Sequence, residues 1–165
     1  MIGCEFAFIF RLLGSQVTVV EALPRVLGLP SVDQDCSILI QREMKKRKIR
    51  VLTDKTVVKT EIINGRVKAT IGPSPLLEEV KEKDGPLLEV EAQKVLVCIG
   101  RRAEVSGLGL ERLGLETERG GWIKTDEKLE TNIPGIYAVG DILGPSRIML
   151  AHVASAEGMV AAENC

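Results

Sequence analysis

Residues 2–21 read IGCEFAFIFRLLGSQVTVVE, and the change of pattern inside this stretch decides the fold. Phe6, Ile9, Phe10 and Leu13 recur at helical spacing, so a helix is expected over residues 2–13 with Gly14 as its stop. Val17-Thr18-Val19-Val20 is then a β-branched run, which suits a strand over residues 16–21 buried in a parallel sheet. A loop holding Pro24, Gly28 and Pro30 leads to Ser31, the expected N-cap of a helix over about 32–48. Cys36, Leu39, Ile40 and Met44 fall on one side of that helix, and Lys45–Lys48 place positive charge at its C-terminal end. Residues 49–53 supply the next strand.

Beyond residue 55 the period falls to two. Residues 56–63, 66–71 and about 87–92 alternate, joined by Asn64-Gly65 and by a polar Gly/Pro loop. Asn-Gly between alternating runs is a hairpin signal, so an antiparallel meander is expected. Residues 94–99 (Lys-Val-Leu-Val-Cys-Ile) then read as a continuous apolar strand returning to the parallel sheet, with Gly100-Arg101-Arg102 at its exit. Leu108, Leu110, Leu113 and Leu115 mark a short helical turn, and residues 122–125 a small strand. The order describes an α/β, doubly wound Rossmann-like parallel sheet with an antiparallel β-meander inserted in one crossover.

With 165 residues, 45% of them hydrophobic, the chain can build a sizeable core. Its 22 basic and 23 acidic residues leave a net charge of −1, and only one Trp, one Tyr and three Phe are present. Neither a basic surface nor stacking platforms for nucleic acid are expected. No apolar run reaches the roughly 18 residues of a membrane span, and no leader opens the chain. The expectation is a soluble protein with no membrane or nucleic-acid partner. Cys4, Cys36, Cys98 and Cys165 lie 32, 62 and 67 residues apart, matching neither CxxC, CxxxxC nor zinc-ligand spacing. No metal site and no redox disulfide are expected from them.

A second stretch carries chemistry. In Thr131–Asp141, TNIPGIYAVGD, a turn at Asn132, Pro134 and Gly135 launches a short apolar strand, residues 136–139. Gly140 allows a ligand close to the backbone, and the Asp141 carboxylate can accept hydrogen bonds from sugar-like hydroxyls. A helix over residues 150–164 follows, with Ala151, Ala154, Gly158, Ala161 and Ala162 on one face. Such a face permits close packing against a sheet or a cofactor.

These stretches together resemble the FAD/NAD-linked pyridine nucleotide-disulfide oxidoreductases, dihydrolipoyl dehydrogenase above all, from Gly3 to Glu163. Ala103 is the one visible departure, standing where the family usually has proline. The resemblance implies two parts: residues 1–100 as an NAD-binding domain lacking its first strand and first two fingerprint glycines, and residues 101–165 as the C-terminal segment of the FAD-binding domain. It implies NAD and FAD as cofactors, with the FAD site only half present.

On that alignment Ile2, Gly3, Cys4 and Glu5 form the end of a G-x-G-x-x-G fingerprint. Gly3 is its third glycine, and Glu5 reaches the nicotinamide carboxamide; a carboxylate favoured by the helix dipole is the plainer account of Glu5. Glu21, 18 residues after Gly3, suits the adenosine ribose hydroxyls and would repel a 2′-phosphate, which favours NAD; Arg25 keeps NADP open. Val57 aligns with an adenine contact, or is an ordinary strand residue. Gly100 lies by resemblance against the nicotinamide ribose. Asp141 binds the ribityl chain, and Met149, Leu150, Ala151 and His152 offer backbone N–H groups to the flavin O2/N1 edge. His152, the sole histidine, is expected at that edge and not as an acid–base catalyst.

No catalytic residue is assigned within these 165 residues: no two cysteines have CxxxxC spacing, and the resemblance places the family's acid–base histidine in a later, interface-domain segment. The expectation is a fragment of a flavoenzyme that passes electrons from dihydrolipoamide through a redox disulfide and FAD to NAD. The fragment itself is expected to be inactive. The resemblance also implies a homodimeric parent, membership of a 2-oxo acid dehydrogenase complex, and a cytoplasmic or mitochondrial-matrix location. The alternatives are a complete non-catalytic NAD-binding or regulatory module, or part of a glutathione reductase, mercuric reductase or NAD(P) transhydrogenase.

Overall fold

A computed structural model describes residues 1–76 and 87–165. The chain forms two compact units, Met1–Cys98 and Ile99–Cys165.

The first unit opens with α1, Ile2–Leu12, and β1, Thr18–Val20. Helix α2, Gln34–Lys46, then leads to β2, Arg50–Leu52. β1 and β2 pair in parallel, with Val19 opposite Val51. The ladder is lengthened at both ends, by Arg50 N–H donating to the Val17 carbonyl and Glu21 N–H to the Leu52 carbonyl. Ala7, Met44 and Ile49 are buried beneath the helices, with Cys4, Phe8, Val17, Val19, Ile40 and Val51 packed around them. Helical spacing thus identifies α1 correctly, but the buried face is Cys4, Ala7 and Phe8. Phe6 and Phe10 instead stack on each other with centroids 5.7 Å apart on the exposed side.

The same rotation applies to α2. Its inward face is Ser37, Ile40 and Met44, while Cys36 and Leu39 are exposed. The reason is polar: Arg25 reaches Ser37 and draws that hydroxyl, not a larger apolar neighbour, into the interior. The N-cap is Asp33, two residues beyond the expected Ser31, and no side chain caps the helix.

The meander follows the expected pattern. β3, Lys55–Ile63, pairs antiparallel with β4, Arg66–Pro73, which pairs with β5, Leu88–Ala92. Asn64 and Gly65 both have positive φ, 51° and 74°, which matches the right-handed twist of a two-residue hairpin. The Gly/Pro loop expected before β5 lies, over residues 77–86, outside the described residues.

One expectation fails here. Residues 94–99 form no strand, and Val97 is 70% and Ile99 92% exposed. A parallel strand is held by its ladder as much as by its composition, and no described strand pairs with this one. The observed parallel sheet therefore has two strands, β1 and β2.

The second unit is built mostly of turns around one long helix, α4, Ala151–Asn164, with a short helix, α3, at Leu110–Leu113. Leu129, Ala138, Leu143 and Ala161 make its core, flanked by Ile123, Tyr137 and Ile142. The two small strands expected here reduce to single bridges, Thr117 with Ile123 and Glu130 with Tyr137. The second bridge is held by Thr131 N–H to the Ile136 carbonyl and Ala138 N–H to the Leu129 carbonyl, and the turn closed by Ile136 N–H on the Ile133 carbonyl follows at once. A 3₁₀ turn, Gly140–Leu143, occupies the place where the second of them would have continued.

Candidate functional site

In the first unit the candidate residues gather at two places. Ile2, Gly3, Cys4 and Glu5 form the first turn of α1, where Cys4 and Glu5 N–H bond the Met1 carbonyl, and the remaining N–H groups of Ile2 and Gly3 with the helix dipole favour an anion. Cys4 dips into the core, and burial pushes its thiol above the usual range. A methyl group at Gly3 would lie 3.4 Å from Cys98 Cβ, which is ordinary contact. Helix packing against that segment therefore does not by itself require glycine.

Glu21 stands at the C-terminal end of β1, where ligands bind in open α/β sheets. Its Oε1 accepts from Leu23 N–H at 3.0 Å, which pins the carboxylate against its own loop. Its backbone carbonyl accepts from Lys55 N–H, while Asp54 N–H bonds the Leu23 carbonyl. These bonds bring the start of β3 beside Glu21. Val57, 40% exposed, follows two residues later. Oε2 of Glu21 accepts no hydrogen bond from the described residues, so it is available to sugar hydroxyls.

Arg25 is placed differently from the expectation that it could meet a 2′-phosphate. Its Nη1 donates to Ser37 Oγ at 2.6 Å and its Nη2 to the Val32 carbonyl at 3.0 Å. Ser37 Oγ in turn donates to the Val26 carbonyl at 2.6 Å, and both Ser37 and Val26 are fully buried. The guanidinium is a structural brace of the loop between β1 and α2.

The second unit holds Gly100, Asp141, Met149, Leu150, Ala151 and His152. Gly100 is exposed, with a φ of 138°. Gly140 has a φ of 78°, and a methyl there would come within 3.0 Å of Ala154 Cβ. Conformation and contact both select glycine, and they seat Asp141 on the α4 side of the unit. Asp141 Oδ2 accepts from Arg101 Nη1, which also lies 3.9 Å from Met149 Sδ. Its Oδ1 accepts nothing from the described residues. Leu150 is the N-cap of α4 without a side-chain cap, so the first-turn N–H groups of Ala151 and His152 project from the end of the helix. His152 is exposed.

The small-residue face of α4 is used in part. Ala154 meets Gly140 and Ala161 is buried, whereas nothing lies within 4 Å of a methyl built on Gly158.

An open carboxylate oxygen at Glu21 and another at Asp141 fit the hydroxyls of a dinucleotide and of a ribityl chain. The two uncapped helix starts fit groups that carry or gather negative charge. The sequence reading missed Arg101 and Glu157, whose partners lie 40 and 17 residues away, respectively. No local pattern announces such pairs. Among the described residues no cluster of three or more His, Cys, Asp or Glu could hold a metal. No described helix is long and apolar enough to cross a membrane.

The chain resembles known proteins along nearly its whole length. It is 37% identical over 163 residues to a dihydrolipoyl dehydrogenase of Thermus scotoductus, covering 99% of this chain and 33% of that one. A dihydrolipoyl dehydrogenase of Mycobacterium leprae is 39% identical over 162 residues, covering 98% and 32%. The chain thus spans about a third of the length of the curated relatives it matches. Among solved structures, LpdA from Mycobacterium tuberculosis superposes with a TM-score of 0.80 at 31% identity, over 99% of this chain and 32% of that one. The flavoprotein disulfide reductase RclA from Escherichia coli shares the fold, with a TM-score of 0.79 at 21% identity. The family model described as pyridine nucleotide-disulphide oxidoreductase matches residues 1–158, and the chain belongs to that family.

Proposed function

We propose that the chain is the nucleotide-binding and flavin-edge part of a dihydrolipoyl dehydrogenase-like flavoenzyme, which moves electrons from dihydrolipoamide through a redox disulfide and FAD to NAD. The observation that carries the nucleotide preference is at Glu21. Its carboxylate keeps one oxygen open at the end of β1, while the nearby Arg25 is consumed by Ser37 and Val32. A carboxylate at that position accepts ribose hydroxyls and repels a 2′-phosphate.

In this reading Ile2, Gly3, Cys4 and Glu5 lie along the dinucleotide, Val57 lies against the adenine, and Gly100 lies against the nicotinamide ribose. Asp141 holds the ribityl hydroxyls. Met149, Leu150, Ala151 and His152 lie along the flavin edge, with Leu150 N–H taken by the Ile148 carbonyl at 3.0 Å and the other three N–H groups open among the described residues, and the dipole of α4 favours the negative charge that collects on reduction. Bound FAD supplies the two-electron carrier between dithiol and nicotinamide. The parent enzyme is a homodimer that works within a 2-oxo acid dehydrogenase complex. The 165 residues catalyse nothing by themselves, since no two of their four cysteines have CxxxxC spacing.

Two measurements test this. The purified chain is expected to be colourless, and stoichiometric bound flavin in its absorbance spectrum would sink the reading of it as an inert part. Titration calorimetry is expected to find NADH binding weaker than micromolar, because only one glycine of the phosphate-cradling fingerprint is present. NADPH should bind more weakly still, and Glu21→Ala should erase the difference. A preference for NADPH would overturn the assignment.

A further inference from the structure

Glu157 lies on α4, outside every residue assigned above, and its side chain is only 12% exposed. Its Oε2 accepts from Gly140 N–H at 2.7 Å, and its Oε1 lies 3.6 Å from Arg147 Nη1. Between those two points the backbone is hydrogen-bonded to itself. Gly144 N–H donates to the Asp141 carbonyl at 3.1 Å, and Arg147 N–H donates to the Gly144 carbonyl at 3.2 Å. One carboxylate therefore closes residues 140–147 into a ring. Asp141 adjoins one end of this ring, and Met149 lies just beyond the other.

We propose that Glu157 is a positioning residue, whose carboxylate fixes Asp141 and Met149 relative to the N-terminal end of α4. The proposal rests on the flavin reading of those residues. Its physical basis is independent of that reading. A largely buried carboxylate that accepts a backbone N–H and faces an arginine engages both oxygens at once, one in a charge-assisted hydrogen bond and the other in an ion pair. No contact within the 140–147 loop substitutes for it, because the Gly140 N–H has no other acceptor among the described residues. A glutamine in its place still accepts from Gly140 but loses the ionic attraction to Arg147. An alanine loses both.

The test uses the whole chain, ¹⁵N-labelled, with FMN as the flavin probe. In Glu157→Ala, exchange of the Gly140 amide proton with solvent is expected to accelerate about tenfold, the equivalent of one lost charge-assisted bond. Glu157→Gln should stay near the wild-type rate. FMN should shift the Asp141, Met149 and Ala151 resonances in the wild type, keep the Asp141 shift but lose part of the Met149 shift in Glu157→Gln, and move all three much less in Glu157→Ala. Unchanged Gly140 exchange in Glu157→Ala, or equal FMN shifts in all three proteins, would overturn the proposal. If exchange responds as expected but FMN moves none of these resonances even in the wild type, the flavin reading has failed. The positioning role then falls with it, and the ring stands only as structure. Should Glu157→Ala not fold, Arg147→Ala carries the test: Gly140 protection is retained, and the FMN shift at Met149 shrinks.

Discussion

Arg101 Nη1 donates to the Asp141 carboxylate while facing Met149 Sδ 3.9 Å away, so one guanidinium touches two residues of the candidate flavin edge. The Arg101 side chain is 47% and the Asp141 side chain 51% exposed. Magnitude decides what the pair does. An exposed ion pair contributes about 0–1 kcal/mol, too little to hold the unit together. It can still orient a carboxylate whose second oxygen is open.

Arg101→Ala is accordingly expected to cost less than about 1 kcal/mol of folding stability. Thermal denaturation checks this. A melting temperature lowered by more than roughly 4 °C would show that the pair is structural.

Ser37 is the opposite case. Its hydroxyl is fully buried, donates to the Val26 carbonyl and accepts from Arg25. Ser37→Ala leaves that carbonyl and part of a guanidinium without partners, at a cost of about 1–3 kcal/mol. Urea denaturation should show the loss, and a change below about 0.5 kcal/mol would contradict the bracing role of Arg25.

Gly144 sits under Trp122. A methyl built there would lie 2.6 Å from Trp122 Cγ and 2.9 Å from its Cδ2, and the backbone φ is 88°. Both the clash and the left-handed conformation must be relieved, so Gly144→Ala should destabilise the second unit by about 1–3 kcal/mol. The emission of Trp122, the only tryptophan, reports the local rearrangement directly. Wild-type stability together with an unshifted spectrum would refute the contact.

Acid sensitivity has one identifiable contributor on α2. Hydrogen bonds from Lys46 and then Arg47 lower the Glu43 carboxyl from 4.5 to about 2. The folded value lies below the unfolded one, so the contribution is complete above pH 4.5 and disappears as the pH falls through about 2. Glu43→Gln should therefore be less stable than wild type near neutrality and equal to it at the acid end. Melts of the two proteins across pH measure the gap, and a gap that widens on acidification would reverse the argument. Lys46 and Arg47 are solvent-exposed, so the effect is small and weakens with salt.

Where the sequence was legible, the physics is local. The helical period of residues 2–12, the β-branched run at Val17–Val20, and Asn64-Gly65 each report interactions among near neighbours, and each element formed. The rotation of α2 was not legible, because Arg25 and Ser37 lie 12 residues apart and nothing between them signals the pairing. Residues 94–99 failed for a related reason: apolar composition marks a buried strand, but a strand exists only where a second one pairs with it. Single bridges at Ile123 and Tyr137 replaced two short expected strands, and Ile123 N–H bonds the Ile142 carbonyl, 19 residues away, a partner that no local pattern announces.

The sequence by itself determined the family, the α/β order of elements and the residue types offered to a nucleotide and a flavin. These depend on spacing along the chain, which folding does not alter. Only the tertiary structure decided which side chains remain available. It commits Arg25 to Ser37, leaves one oxygen of Glu21 and one of Asp141 open, and places Glu157 across the Gly140–Arg147 ring. A carboxylate or guanidinium has the same composition whether paired or open. Its pairing is settled by distance in space, and residues far apart in the chain set that distance.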